Sequence, residues 1–178
     1  MTAWHCLLMN KKELSERDIC TKFITPALRQ AGWDEMTQLR EEVTFTKGRI
    51  IVRGKLVTRG KAKRADYILY YKPNMPLAVI EAKDNYSSVG DGMQQALDYA
   101  QTLQIPFVFS SNGDGLVFHD RTLTSGAIET SLRLEEFPPP ATLGCFSDHQ
   151  GRGKTIWHKP GSTPRFAREP LEQAGGSK

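Results

Sequence analysis

Residues 65–83, ADYILYYKPNMPLAVIEAK, read as two apolar strands joined by a short Pro/Asn turn. A carboxylate stands at the outer end of each strand, Asp66 and Glu81, and Lys83 lies two residues past the second. Charges beside apolar strands are costly to desolvate unless they are paired or bound to a metal. With Lys72 to Pro76 as the turn, Tyr71 faces Leu77 and Asp66 falls opposite Ala82. Glu81 and Lys83 then share one face, and Asp66 joins them only if twist or a bulge shifts the pairing by one residue.

The flanking segments set this hairpin in a larger sheet. Before it, Glu41 to Phe45 and Arg49 to Thr58 read as strands around a Lys47-Gly48 turn, with Gly54 as a bulge position. At the start, Ser15 and Asp18 have the spacing of a capping box, and Leu14 and Ile19 that of a hydrophobic staple. Ile19, Phe23, Ala27, Leu28 and Ala31 then mark one helical face. Pro26 either kinks this helix or opens a second segment capped by Thr25. Gly32 is its natural stop, and Trp33 a core anchor beyond it.

After the hairpin, Met93, Ala96, Leu97, Ala100 and Leu103 recur at helical spacing in a segment beginning near Val89. Pro106 to Ser110 reads as a strand, Asn112 to Gly115 as a turn, Leu116 to His119 as a strand and Ile128 to Leu134 as a weaker one. Strand, helix and strand from Leu77 to Phe109 suit a right-handed parallel crossover. The expected fold class is α/β, a mixed central sheet flanked by helices.

The chain has 178 residues, 39% hydrophobic and 25% charged, a globular balance with length for one ordinary domain and its core. Its apolar runs are too short to span a bilayer, and the first residues lack a basic leader or cleavage site, so neither membrane nor secretory placement is expected. Cys6, Cys20 and Cys145 are few and unpaired in spacing, as for reduced thiols in a cytoplasmic protein. Past Pro138 the chain turns rich in Gly, Pro, Arg and Ser, and a mobile tail is expected. Gly153-Lys154-Thr155 there lacks the first glycine, the strand and the helix of a phosphate-binding loop. Cys145, His149 and His158 lack zinc spacing. The expected division is an extension over 1–12, a domain over 13–137 and the tail over 138–178.

The net charge of +4 says less than its distribution. From Lys47 to Arg64 there are eight basic residues and no acid. Such a field, just before the two carboxylates, attracts a polyanion such as nucleic acid; its plainer reading is a solvated hairpin. Two hard carboxylates with a lysine suit Mg²⁺, which lowers the pKa of bound water and stabilises charge on a phosphate. Lys83 would then orient or deprotonate the attacking water, or stabilise the phosphorus centre. On the residues alone, a structural Asp and an edge-strand Glu–Lys pair stay equally open.

A resemblance weighs on that choice. Asp66 followed by Glu81-Ala82-Lys83 resembles the PD-(D/E)xK nuclease motif, with Ala65-Asp66 in place of Pro-Asp. Gln95-Ala96-Leu97-Asp98-Tyr99 resembles the Q-x-x-x-Y helix of a subset of these nucleases. Together with residues 24–33 (ITPALRQAGW), Ala65-Asp66-Tyr67, Ile80 to Lys83 and Pro106 to Gly113, the pattern is similar to the N-terminal nuclease domain of the restriction (R, HsdR-type) subunit of type I restriction–modification enzymes. It covers about residues 13 to 137.

The resemblance implies a restriction-endonuclease-like core and a Mg²⁺-dependent DNA endonuclease. Asp66, Glu81 and Ala82 would be the metal-holding positions and Lys83 the catalytic lysine. Gln95 and Tyr99, one helical turn apart, would hold DNA or the catalytic groups. Glu16 matches an acidic position that joins the site in related nucleases, although the first turn of a helix favours an acid anyway. Arg53, Lys55, Arg59, Lys61, Lys63 and Arg64 would meet double-stranded DNA. Partners would be the specificity and methyltransferase subunits. ATP would act only through a translocase motor, expected to lie outside these 178 residues. Beyond about Leu143 the resemblance ends, as expected of a fragment or a shifted reading frame. The alternative is a catalytically silent DNA-binding or subunit-docking module of the same fold.

Overall fold

The computed structural model describes residues 10–46, 49–50 and 62–148. Among them, seven strands form one sheet: β1 (Leu39–Thr46), β2 (Arg49–Ile50), β3 (Lys63–Lys72), β4 (Met75–Ala82), β5 (Phe107–Ser111), β6 (Leu116–Asp120) and β7 (Glu129–Leu132). Their order is β2-β1-β3-β4-β5-β6-β7. Only β4 and β5 run parallel, and helix α3 (Met93–Leu103) connects them. A parallel neighbour needs such a crossover, whereas tight turns serve the antiparallel pairs. The fold is therefore α/β, with a mixed sheet and flanking helices, as expected.

The first helical segment is α1 (Glu16–Ile19), a π turn over Cys20–Ile24, then α2 (Thr25–Gln30). Ser15 and Asp18 form the expected capping box. Pro26 stands in the first turn of a second segment, α2, as one of the two expectations had it, but Thr25 is not its cap. Thr25 is helical and donates its N–H to the Cys20 carbonyl, five residues back. A proline ring presses on the carbonyl four residues before it, and a widened turn relieves that pressure. Gly32, at φ +91°, ends the segment, where a left-handed residue suits glycine. Trp33 follows as the anchor: it is buried, and its Nε1 donates to the Pro138 carbonyl at 2.9 Å.

That contact carries the ordered chain past the boundary expected at 137. Helix α4 occupies Pro140–Asp148, with Leu143 fully buried, where a tail without helix was expected. Gly153-Lys154-Thr155, His149 and His158 lie outside the described residues, as do Gly54 and the strand expected beyond Ile50.

Two apolar layers sandwich the sheet. Ile19, Ile24, Leu28 and Trp33 pack with Leu39, Tyr67, Leu69 and the phenylalanines of β5 and β6 on one face. On the other, Met93, Ala96, Tyr99 and Ala100 of α3 cover Val43, Phe45, Ala65, Ile68 and Val79. Strict alternation would put Ala65 with Tyr67, and Leu39 with Val43. Each pair is instead split between faces. On β3 the lapse falls at Asp66. On β1 it falls at Glu42, which lies between the Glu41↔Tyr67 and Val43↔Ala65 pairs and has φ +49°. A left-handed residue rotates the strand and exchanges its faces.

Candidate active site

The register of β3 and β4 decides whether two carboxylates meet. The turn is Pro73-Asn74, two residues rather than the five expected, with Lys72 facing Met75. Proline fixes the first turn position, and Asn74 takes φ +64°, which asparagine tolerates. Irregular pairing around Tyr70 and Pro76, which has no N–H to give, is absorbed before Leu69↔Ala78. The ladder then runs Ile68↔Val79 and Tyr67↔Ile80 and stops. The next position opposite Asp66 is Glu81, not Ala82. The one-residue shift the site requires is present.

Beyond Tyr67 the two strands part. β3 stays with β1 as far as Lys63, and β4 stays with β5 as far as Ala82. The amide of Ala82 is left on the side of the gap and donates to Asp66 Oδ2 at 2.8 Å. The Asp66 side chain thus replaces a ladder bond at the fork. Ala82, whose methyl carries no donor atom, enters the site through its backbone.

Glu81 sits deeper, at 3% exposure. Its Oε1 accepts from the Gln95 amide and, at 3.3 Å, from Lys83 Nζ. Its Oε2 is buried without a hydrogen-bond partner among the described residues. Burial, and then the charge of Asp66, push the Glu81 carboxyl up to about 8. Burial raises Asp66 as well; the Ala82 amide opposes this and Glu16 adds to it. Burial works against the charge on Lys83, but Glu81 and Glu16 outweigh it and raise its pKa.

The remaining expected residues divide. Lys83 Nζ also reaches Gln95 Oε1 at 3.3 Å, and Gln95 Nε2 donates to the Tyr99 hydroxyl at 2.8 Å. Gln95 and Tyr99 therefore lie one behind the other on α3, tied to Glu81 and Lys83. Glu16 meets Lys83 at 3.5 Å and is half exposed, so it joins through the lysine. Among the described residues no three His, Cys, Asp or Glu side chains gather as a metal cage. Lys63 is held by Asp98 and lies over the Tyr99 ring at 5.8 Å, while Arg64 is 3.9 Å from Glu42. Arg53, Lys55, Arg59 and Lys61 lie outside the described residues.

Two supports escaped the reading of the sequence. Helix α3 begins at Met93, four residues later than its pattern suggested. Gly92 before it lies so close to the sheet that a Cβ would stand 2.9 Å from Ser110 Oγ and 3.1 Å from Glu81 Cγ. Ser110 is itself buried; its Oγ donates to the Val89 carbonyl and accepts the Gly92 N–H. The signal was the Gly-Asp-Gly stretch at 90–92, where glycine before a helix permits close helix–sheet approach.

Comparison with known proteins identifies the family. Residues 29–138 fit the family model for the type I restriction enzyme R protein N terminus. The chain is 50% identical over 136 residues to the type I restriction enzyme EcoAI endonuclease subunit of Escherichia coli, a match covering 76% of this chain and 17% of that protein. It also resembles a solved fragment described as an HsdR subunit of a type I restriction enzyme from Vibrio vulnificus. There the identity is 42% and the TM-score 0.60, over 74% of this chain and 25% of the other. The chain thus spans about a sixth of the length of its curated relative. It belongs to the family of type I restriction enzyme R protein N termini.

Proposed function

We propose that this chain is the nuclease domain of a type I restriction R subunit, a Mg²⁺-dependent DNA endonuclease that hydrolyses phosphodiester bonds. The observation that carries this reading is the fork between β3 and β4. It sets Asp66 against the Ala82 amide and opposes it to a buried Glu81 with one oxygen unpartnered among the described residues, and Lys83 lies alongside. A buried carboxylate oxygen with no partner is an unfavourable feature that a bound cation would relieve.

The donor set fits the ion. Asp66 and Glu81 offer hard oxygens and Ala82 its backbone, and Mg²⁺ typically takes one or two carboxylates while keeping several waters. When bound, Mg²⁺ supplies positive charge that favours a hydroxide-like water and a phosphate gathering negative charge. The chain's own groups do the rest. Lys83, kept protonated between Glu81 and Glu16, stabilises charge on the phosphate under attack. Gln95 holds Glu81 and Lys83 in one cluster, and Tyr99 fixes Gln95. Hydrolysis joins the oxygen of water to phosphorus and releases one ester oxygen as a hydroxyl.

In a complete enzyme, recognition and methylation would belong to the specificity and methyltransferase subunits, and DNA delivery to an ATP-driven motor. Nicking of supercoiled plasmid with Mg²⁺ tests the domain itself. Wild type should nick, and Asp66→Ala and Lys83→Ala should each fall by at least about 100-fold, the scale of losing a transition-state contact. Equal activity in all three would remove the assignment. DNA binding without cleavage at any metal concentration would favour a silent docking module.

A further inference from the structure

A cleft of about 310 Å³ opens beside Asp66, between α1 and strands β1 and β3. Most of its charge is negative, with Glu16, Glu41, Glu42 and Asp66 on its wall. A phosphate would be repelled from such a wall. Arg17 and Arg64 are the cations among its lining residues, and both guanidinium groups converge on one carboxylate. Arg17 pairs with Glu42 Oε1, and Arg64 lies 3.9 Å from Glu42 Oε2. The two arginine side chains are 72% and 62% exposed, so their heads stand at the mouth.

The position matters as much as the charge. Arg17 follows Glu16, whose carboxylate touches Lys83, and Arg64 is two residues before Asp66 on β3. Glu42 stands across the β1–β3 ladder from Asp66 in a left-handed conformation that side chains rarely adopt. A guanidinium pair that matches one carboxylate also matches the oxygens of a phosphodiester. Exposed ion pairs exchange readily, because water already supports both partners.

We propose that Arg17 and Arg64 form a phosphate-binding subsite for the DNA backbone beside Asp66, and that the Glu42 carboxylate fills it until DNA arrives. This rests on the nuclease reading above and assigns Arg17 and Glu42 a part in it. DNA displaces Glu42 from both arginines, and the freed carboxylate turns to solvent. Glu42 thereby discourages loose binding of other anions, since only a ligand making further contacts repays its displacement.

The test is binding of a short fluorescent duplex to the whole chain, by anisotropy across a salt series in chelator, so that cleavage plays no part. Glu42→Gly suits φ +49° and removes the carboxylate; it should fold as wild type by circular dichroism and bind roughly 5-fold tighter, as for removal of one repulsive interface charge. Arg17→Gln and Arg64→Gln should each weaken binding and lower the salt slope by about one. The gain from Glu42→Gly should vanish when both arginines are replaced. Arg29→Ala, whose partner is Glu35 at 2.6 Å and which does not line the cleft, should bind as wild type. Glutamine variants with unchanged affinity and slope would overturn the subsite. So would a Glu42→Gly gain that persists without the arginines, or no binding by any variant. Because the ion is absent, failure to nick with Mg²⁺ would refute the nuclease and leave this result to stand or fall by itself.

Discussion

Replacing Glu81 by glutamine should stabilise the metal-free protein at alkaline pH while removing its response to Mg²⁺. The folded state raises this carboxyl from 4.5 to about 8, chiefly by burial. A raised acid pKa means that the fold prefers the protonated form. Below 4.5 no penalty applies; between 4.5 and about 8 stability falls as pH rises; above that the loss is constant. At about 1.4 kcal/mol per pH unit the interval sets a ceiling of ~4 kcal/mol on the change between pH ~5 and pH ~8.5. Relaxation and water entry around the ionised group reduce such penalties, and roughly 2 kcal/mol is the working expectation.

Glutamine keeps the shape and carries no charge. Its amide has its own fixed cost beside the orphaned Oε2 position, but that cost does not vary with pH and cancels in the comparison. Melting followed by circular dichroism in chelator should therefore show the variant gaining on wild type by about 5 °C between the two pH values, at a few degrees per kcal/mol. Saturating Mg²⁺ at 100-fold over its Kd should raise wild type by about 2.7 kcal/mol and the variant by much less. A difference in melting temperature that stays the same at both pH values would refute the electrostatic reasoning. An equal Mg²⁺ response would refute Glu81 as a ligand.

Other outcomes test the supporting residues. Tyr99→Phe removes the hydroxyl that holds Gln95; nicking should drop by roughly 5-fold, about 1 kcal/mol for one hydrogen bond, with little change in melting. Gly92→Ala drives a methyl into Ser110 Oγ and Glu81 Cγ; overpacking of about 1–3 kcal/mol should lower the melting temperature and the nicking rate together. Trp33→Phe loses the bond from Nε1 to the Pro138 carbonyl; about 1 kcal/mol of stability should go, and amide exchange over α4 should quicken before that of β5.

Element types were legible because local rules and the fold agree. The Ser15–Asp18 box, the apolar run of β4 and the helical stripe on α3 all appear where the residues put them. The failures have particular causes. The Pro73-Asn74 turn was read too long because the ladder absorbs irregularities at Tyr70 and Pro76, which depend on neighbours rather than on local composition. Helix α4 was missed because its Gly and Thr residues show little period, and its burial depends on contact with the sheet and with Tyr71. Although a structural reading stayed equally open, Asp66, Glu81 and Lys83 were singled out by their chemistry and spacing. The partnership of Arg17 and Glu42 was not, since nothing local shows that residues 25 positions apart meet.

Asp66 also could not have been placed by alternation alone, and the reason bears on how the site is built. A carboxylate midway along a regular ladder points to one face or the other, whereas here it must reach the edge of β4. Two features make that possible. The left-handed Glu42 lets β1 and β3 exchange faces at the Asp66 position, and the ladder to β4 ends one pair earlier, leaving the Ala82 amide unclaimed. Closing the fork with one more backbone pair would satisfy that amide and force Asp66 out of the gap. The sheet thus gives up regular pairing at one point, and a side-chain carboxylate takes the place of a carbonyl. That exchange brings Asp66 opposite Glu81 while keeping the backbone hydrogen-bonded, as a buried fork requires.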